Sequence, residues 1–150
     1  MIEINAVEAI KHETLQRFVK VKEGLVGLHP LHLDHLEAPE LAPFHDNLII
    51  SRRLAGGEDF AFEYWGAENT EVYGFDLSGK TIMTANFGDL ANLFMTIDCQ
   101  VLSMKGSVYL NGLFDWLDRD HQRWYRVAMP LMGPEGLERV ISYTSFEPGE

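Results

Sequence analysis

FAFEYWGAENTEVYGFDLSGKT, residues 60–81, sets an aromatic run, two single glycines and a Gly-Lys-Thr end in close succession. Phe60 to Trp65 is rich in aromatic residues, which pack well on a pleated surface and predict a strand. Gly66 reads as a sharp bend, and Ala67 to Tyr73 as a short helix. Gly74 stands where a helix commonly ends in a left-handed residue, a conformation glycine adopts at little cost. Asp76-Leu-Ser-Gly79 is turn chemistry, because Asp accepts from the backbone ahead of it and Gly tolerates positive φ.

On the N-terminal side, Asn47 to Leu54 predicts a strand that the Gly56-Gly57 turn joins to Phe60–Trp65 as a hairpin. On the C-terminal side the period changes. Phe87, Leu90, Leu93, Phe94, Ile97, Val101 and Met104 recur at threes and fours, a long helix that Gly106 ends. Asp89 near its start and Lys105 at its end suit the helix dipole. Three strands follow, Ser107 to Leu117, His121 to Pro130 and Leu137 to Phe146, with turns at Asp118–Asp120 and Met132–Gly136. This spacing fits an antiparallel meander. Pro130 is expected to close its strand, since it has no N–H for the ladder.

Ahead of the hairpin, Val7, Ile10, Thr14, Phe18, Val21 and Leu25 form one apolar stripe at helical spacing. Asn5 reads as its N-cap, with Glu8 completing a capping box, and Gly24 and Gly27 as its end. Residues 28–46 carry Pro30, Pro39 and Pro43 and read as an irregular connector. The expected division is an amphipathic helix over residues 1–27, serving as cover and dimerisation element, and one domain over residues 28–150.

The order of strand, glycine corner, short helix and Gly74-Phe-Asp-Leu-Ser-Gly-Lys-Thr81 resembles the PAS domain. It looks most like a bacterial subgroup in which one such domain makes up nearly the whole chain, and the likeness spans about Leu31 to Phe146. The resemblance implies an α+β fold, with a five-stranded antiparallel sheet in the order 2-1-5-4-3. It also implies central helices on one face and the N-terminal helix over the other. A ligand, if one binds, would lie between the sheet and the middle helices. The candidates there are Phe62, Tyr64, Tyr73, Phe75, Phe94, Ile97, Tyr125 and Val127. The same residues also satisfy a solid core, since aromatic groups at strand and helix spacing more often pack than bind.

Alternation sets Phe60, Phe62 and Tyr64 against Ala61, Glu63 and Trp65. It likewise sets Tyr125, Val127 and Met129 against Trp124, Arg126 and Ala128. Both faces carry large apolar groups, so both need a cover. The face expected under the N-terminal helix, or under a second protomer, comprises Val7, Ile10, Phe18, Trp65, Leu113, Trp124, Ile141 and Tyr143. Covering roughly 500 Å² of apolar surface is worth on the order of 10 kcal/mol, comparable with the net stability of a domain. On that reckoning the leading helix is integral.

A chain of 150 residues with 46% apolar content is long enough for one domain with a true core. Its net charge of −11 repels phosphate backbones and anionic lipid, so neither nucleic acid nor membrane is an expected partner. No apolar run is long enough to span a bilayer, and Met1 to Ala6 lacks the layout of a leader peptide. A lone Cys99 cannot form an internal disulfide. The expected location is cytoplasmic.

The residues that could carry chemistry are few. His29, His32 and His35 beside Asp34 and Glu37 suggest a metal site, but Pro30 breaks the helix that would align them, and no metal is expected. Gly79-Lys-Thr81 ends like a phosphate loop, yet lacks the strand before it and the long helix directly after it. Asp115, Asp118, Asp120 and His121 read as a solvated turn. Cys99 lies between Asp98 and Gln100, unlike the Asn-Cys-Arg setting of flavin-binding PAS proteins, and the long helix holds no His for haem. Neither cofactor is expected; an unidentified small ligand is the one group left room for.

The expected function is therefore a non-catalytic sensory or protein-interaction domain. It would pass its signal through a homodimer or a separate signalling protein, since the chain stops soon after its last strand. The alternative is an enzyme on an α+β cone of the ketosteroid-isomerase or polyketide-cyclase kind, using Tyr64, Asp98 or His45. A third reading is a pure dimerisation module.

Overall fold

The computed structural model describes residues 2–85, 90–114 and 119–147. Among them one sheet contains the strands Glu3–Ile4 (β1), Leu31–His32 (β2), Leu48–Arg53 (β3), Phe60–Trp65 (β4), Val108–Phe114 (β5), Arg119–Gly133 (β6) and Gly136–Glu147 (β7). The α-helices are Val7–Ile10 (α1), Glu13–Val26 (α2), Ala67–Tyr73 (α3) and Leu90–Met104 (α4). Two 3-10 segments, Leu33–Glu37 and Pro39–Asn47, lead into β3.

The fold is α+β, and the sheet runs β1-β5-β6-β7-β3-β4, with β2 beside β6. Pairing is antiparallel except between β2 and β6, where Leu31 lies opposite Leu131 in parallel. The expected five-strand order does not describe this seven-stranded sheet. The two extra strands are two residues each, and such strands exist only through a distant partner, with no local signal to announce them.

The quoted stretch folds as its residues dictate. Gly56 (φ 93°) and Gly57 (φ 73°) turn the β3–β4 hairpin, and Gly74 (φ 87°) ends α3 in the left-handed region. The Ser78 N–H donates to Asp76 Oδ1 at 2.8 Å, which fixes the turn. Gly66 serves another purpose than the expected bend. Its backbone is ordinary (φ −64°), but an added Cβ would stand 2.3 Å from the Asp46 carbonyl oxygen.

Each face of the sheet has its own core. Helices α3 and α4 cover Ile49, Phe60, Phe62, Trp65, Leu110 and Trp124. On the opposite face, α2 and the 3-10 segments cover Leu48, Ile50, Val127, Met129, Ile141 and Tyr143, with Leu15 and Phe18 fully buried. Phe18 stacks on Tyr143 at 5.2 Å between ring centroids.

Several expectations about the faces are corrected here. Trp65 and Trp124 lie under α3 and α4, not under the N-terminal helix. For Trp65 the cause is a β-bulge. Ile50 pairs with Tyr64 but Ser51 pairs with Phe62, so Glu63 is the extra residue and alternation reverses after it. For Trp124 the division into faces holds, but the assignment of covers is reversed: Trp124 pairs with Phe146, while Val127 pairs with Tyr143 on the α2 side. Phe18, Ile141 and Tyr143 do meet the N-terminal cover. Val7 and Ile10 remain exposed, and Leu113 is half-buried opposite Arg123.

The single N-terminal helix is two. Asn5 is not its cap: it has φ 53°, its Oδ1 accepts from the Tyr109 N–H at 2.9 Å, and Ala6 takes the N-cap position. The chain breaks at Lys11–His12 because His12 turns away to Glu147, with Nε2 and Oε1 2.7 Å apart and the ring stacked on Tyr125. Gly24 lies within α2, and Gly27 ends it. Pro130 does not close its strand; β6 continues to Gly133. It sits past the last β5 pair, Val108–Ala128, and before the first β2 pair, Leu31–Leu131, so one side of β6 has no paired strand at that residue to need a donor. The β6 strand begins at Arg119, so the turn expected over Asp118–Asp120 falls partly outside the described residues.

Candidate functional site

Asp98 stands on the buried face of α4, one residue from Ile97 and between Phe94 and Val101 in the apolar stripe, and is only 3% exposed. Ser51 of β3 donates its hydroxyl to Asp98 Oδ2 at 3.0 Å. Across from it, Arg126 of β6 is also buried, its guanidinium 5.4 Å from the centre of the Phe94 ring. Burial pushes the Asp98 carboxyl up to about 6, while the Arg126 charge and the Ser51 hydrogen bond pull it down. Desolvation wins because one neutral hydroxyl and one charge without direct contact cannot replace a full hydration shell.

Asp98 and Arg126 line a small void with Ile49, Phe62, Trp65, Tyr73, Ile82 and Phe94. Its volume is about 10 Å³, room for roughly one water molecule. Trp65 Nε1 and Arg126 Nε are buried without a hydrogen-bond partner among the described residues. Thr144 Oγ1, opposite Arg126 in the ladder, is in the same state. Burial also raises the Tyr73 hydroxyl above its ordinary range, with Arg126 opposing. The cluster thus sets a buried carboxyl, raised by desolvation, beside a buried guanidinium with donors to spare.

The expected ligand residues divide between the two faces. Phe62, Tyr73 and Phe94 line this void, and Ile97 packs in the same core. Phe75 is 42% exposed, its ring 6.4 Å from Tyr73. Tyr125 and Val127 lie on the α2 face, Tyr125 against His12. Tyr64 lies there too, turned over by the bulge, and its hydroxyl donates to the His45 carbonyl at 3.1 Å. Tyr64 and His45 are therefore separated by the sheet from Asp98, and the three do not form one acid–base site.

Residue-level reading overlooked Ser51, Ile82 and Arg126 as neighbours of Asp98. One signal was available. Asp98 sits three and four residues from Val101 and Phe94 on an otherwise apolar face, and a charge at such a position needs a partner.

Of the three histidines considered for metal, His32 Nδ1 accepts from the Asp34 N–H and His35 Nδ1 from the His32 N–H, as a cap on the first 3-10 segment. Among the described residues, no group of three or more His, Cys, Asp or Glu side chains is placed to hold a metal ion. The side chains of Asp115, Asp118, Asp120 and His121 lie outside the described set. Among the described residues no helix is long and apolar enough to cross a membrane.

The fold and the cluster define an α+β protein with a buried ionisable pair between sheet and helix. No family model matches the chain, and no curated protein matches it.

Proposed function

We propose that the chain is a small sensory or protein-interaction domain of PAS type that acts without catalysis. Two features of the sheet support the reading. With the two-residue strands set aside, the five long strands counted in chain order lie 2-1-5-4-3. The middle helices cover one face and α2 the other.

The observation that carries the function is the Asp98–Ser51 hydrogen bond. It ties the α4 side to β3, whose alternate residues Leu48 and Ile50 face the α2 side. A ligand or proton that alters the charge at Asp98 changes how α4 seats on β3. That change favours one packing of α2 over another. The signal then leaves through a homodimer or a separate partner. A ligand larger than water must displace Phe62, Tyr73 or Phe94, which makes occupancy and repacking one event.

Native mass spectrometry of the protein purified from its own host tests this reading. The expected spectrum shows a dimer carrying a small retained molecule that is lost on Asp98→Asn. Bare protein in every preparation would remove the ligand and leave a dimerisation module.

A further inference from the structure

Arg126 is a buried cation with no counter-charge in contact. It is 8% exposed, and among the described residues its guanidinium has no ion pair and its Nε no hydrogen-bond partner. The face of the Phe94 ring, 5.4 Å away, is a weak substitute for an anion. A buried charge in this state is costly unless something pairs with it.

The void beside it supplies what pairing needs. Trp65, 6% exposed, lines the same void, and its Nε1–H can only donate and is equally unpartnered. Of the lining residues, Tyr73, Asp98 and Arg126 titrate. Burial keeps the Tyr73 hydroxyl protonated and uncharged at neutral pH. Burial also holds Asp98 toward its neutral form, and its Oδ2 is already engaged by Ser51. Ser51 on β3 and Thr144 on β7, packed beside this group, add hydroxyls and no charge. With Asp98 neutral, the polar side of the void is a set of donors around one positive charge. The space admits one water-sized particle.

We infer that this void is a halide site, in which one chloride-sized anion accepts from Arg126 and Trp65. Phosphate and carboxylates are too large for the space unless the aromatic wall moves. An ionised Asp98 would offset the guanidinium and repel the anion, so the halide enters together with a proton on Asp98. The exposed carboxylates behind the net charge of −11 are screened by solvent, whereas the buried guanidinium is not. A halide fits without displacing Phe62, Tyr73 or Phe94, unlike the larger ligand of the sensory reading, so the inference does not rest on that reading.

Two-dimensional NMR of the full chain at pH 5 and pH 7.5 tests it, with sodium chloride replacing sodium gluconate at constant ionic strength. The Trp65 Nε1–H and Arg126 Nε–H signals are expected to shift saturably with chloride at pH 5. At pH 7.5 the affinity should be about thirtyfold lower, the ratio of neutral Asp98 at the two values. Trp65→Phe removes one donor and should weaken chloride about tenfold, read at the Arg126 signal. Arg126→Met removes the charge and should abolish the shift of the Trp65 signal. The wild-type comparison between the two pH values needs neither variant to fold. No saturable shift in the wild-type protein, equal affinity at both pH values, or a Trp65 shift that survives Arg126→Met would each overturn the proposal.

Discussion

Ser51 Oγ donates to Asp98 Oδ2 at 3.0 Å, joining β3, the strand next to the β4 edge, to the middle of the helix that covers it. The strand neighbour Ile50 points the other way, into the core beneath α2. One residue of backbone therefore separates the polar cluster from the opposite layer.

The carboxyl of Asp98 is raised from 3.8 to about 6 in the folded state. A group with a raised folded pKa contributes stability that is fully present below its unfolded value and lost as pH rises through the folded one. The window is therefore about pH 4 to 6. Two units correspond to about 3 kcal/mol. Asp98→Asn removes this dependence, so its stability relative to wild type should improve by about 2 kcal/mol between pH 4.5 and 7.5, the rest of the effect lying below pH 4.5. Urea unfolding of both proteins at the two pH values checks it; parallel changes would show that Asp98 does not titrate there.

Opposite signs apply at the hairpin end. Hydrogen bonds from Arg139 and Arg53 hold Glu135 and Glu138 below the ordinary carboxylate range. Their contribution is present above the unfolded value and fades as pH falls through the folded one. Glu135 is exposed and Glu138 half-buried at the surface, so solvent screening keeps it small. Arg139→Gln should therefore flatten the acid limb of the Tm profile below pH 4.5 only slightly, and a loss of the same size at every pH would mean that packing, not charge, was removed.

Gly66→Ala puts a methyl group 2.3 Å from the Asp46 carbonyl oxygen and 2.5 Å from its carbon. Backbone cannot rotate away as a side chain can, so the substitution should cost more than about 2 kcal/mol. A variant with the wild-type denaturation midpoint would show that the 3-10 segment does not pack there.

Phe18 is fully buried and touches both Tyr143 and Phe44, at 5.2 and 5.4 Å between centroids. Phe18→Ala should cost about 3–5 kcal/mol, and removal of residues 1–27 should cause aggregation by baring Ile141 and Tyr143. Thermal melts of both proteins decide it. A truncated chain that melts like the full one would mean that α2 is dispensable.

Much of this fold could be read before any coordinates, and the reasons are local. The glycines at 56, 57 and 74 need positive φ, and the stripe through Phe94, Ile97 and Val101 has helical period. What escaped was set at long range. The bulge at Glu63 turns Tyr64 and Trp65 over, and nothing in FAFEYW announces it. The break at His12 depends on Glu147, and β1 and β2 depend wholly on their partners. Alternation shows which residues share a face but not which layer covers them, so Trp124 and Val127 exchanged places. The site was half legible, its aromatic wall from residue type but its Asp98–Arg126 pair only from the tertiary fold.

In the function proposed for this protein, charge at Asp98 governs the packing of α2 across the sheet. Hydrogen–deuterium exchange of wild type and Asp98→Asn at the same pH, normalised to the amides of β6 and β7, tests it most directly. The expected result is altered protection in Glu13–Val26 as well as in Leu90–Met104. Altered protection confined to Leu90–Met104 and its strand contacts would contradict it.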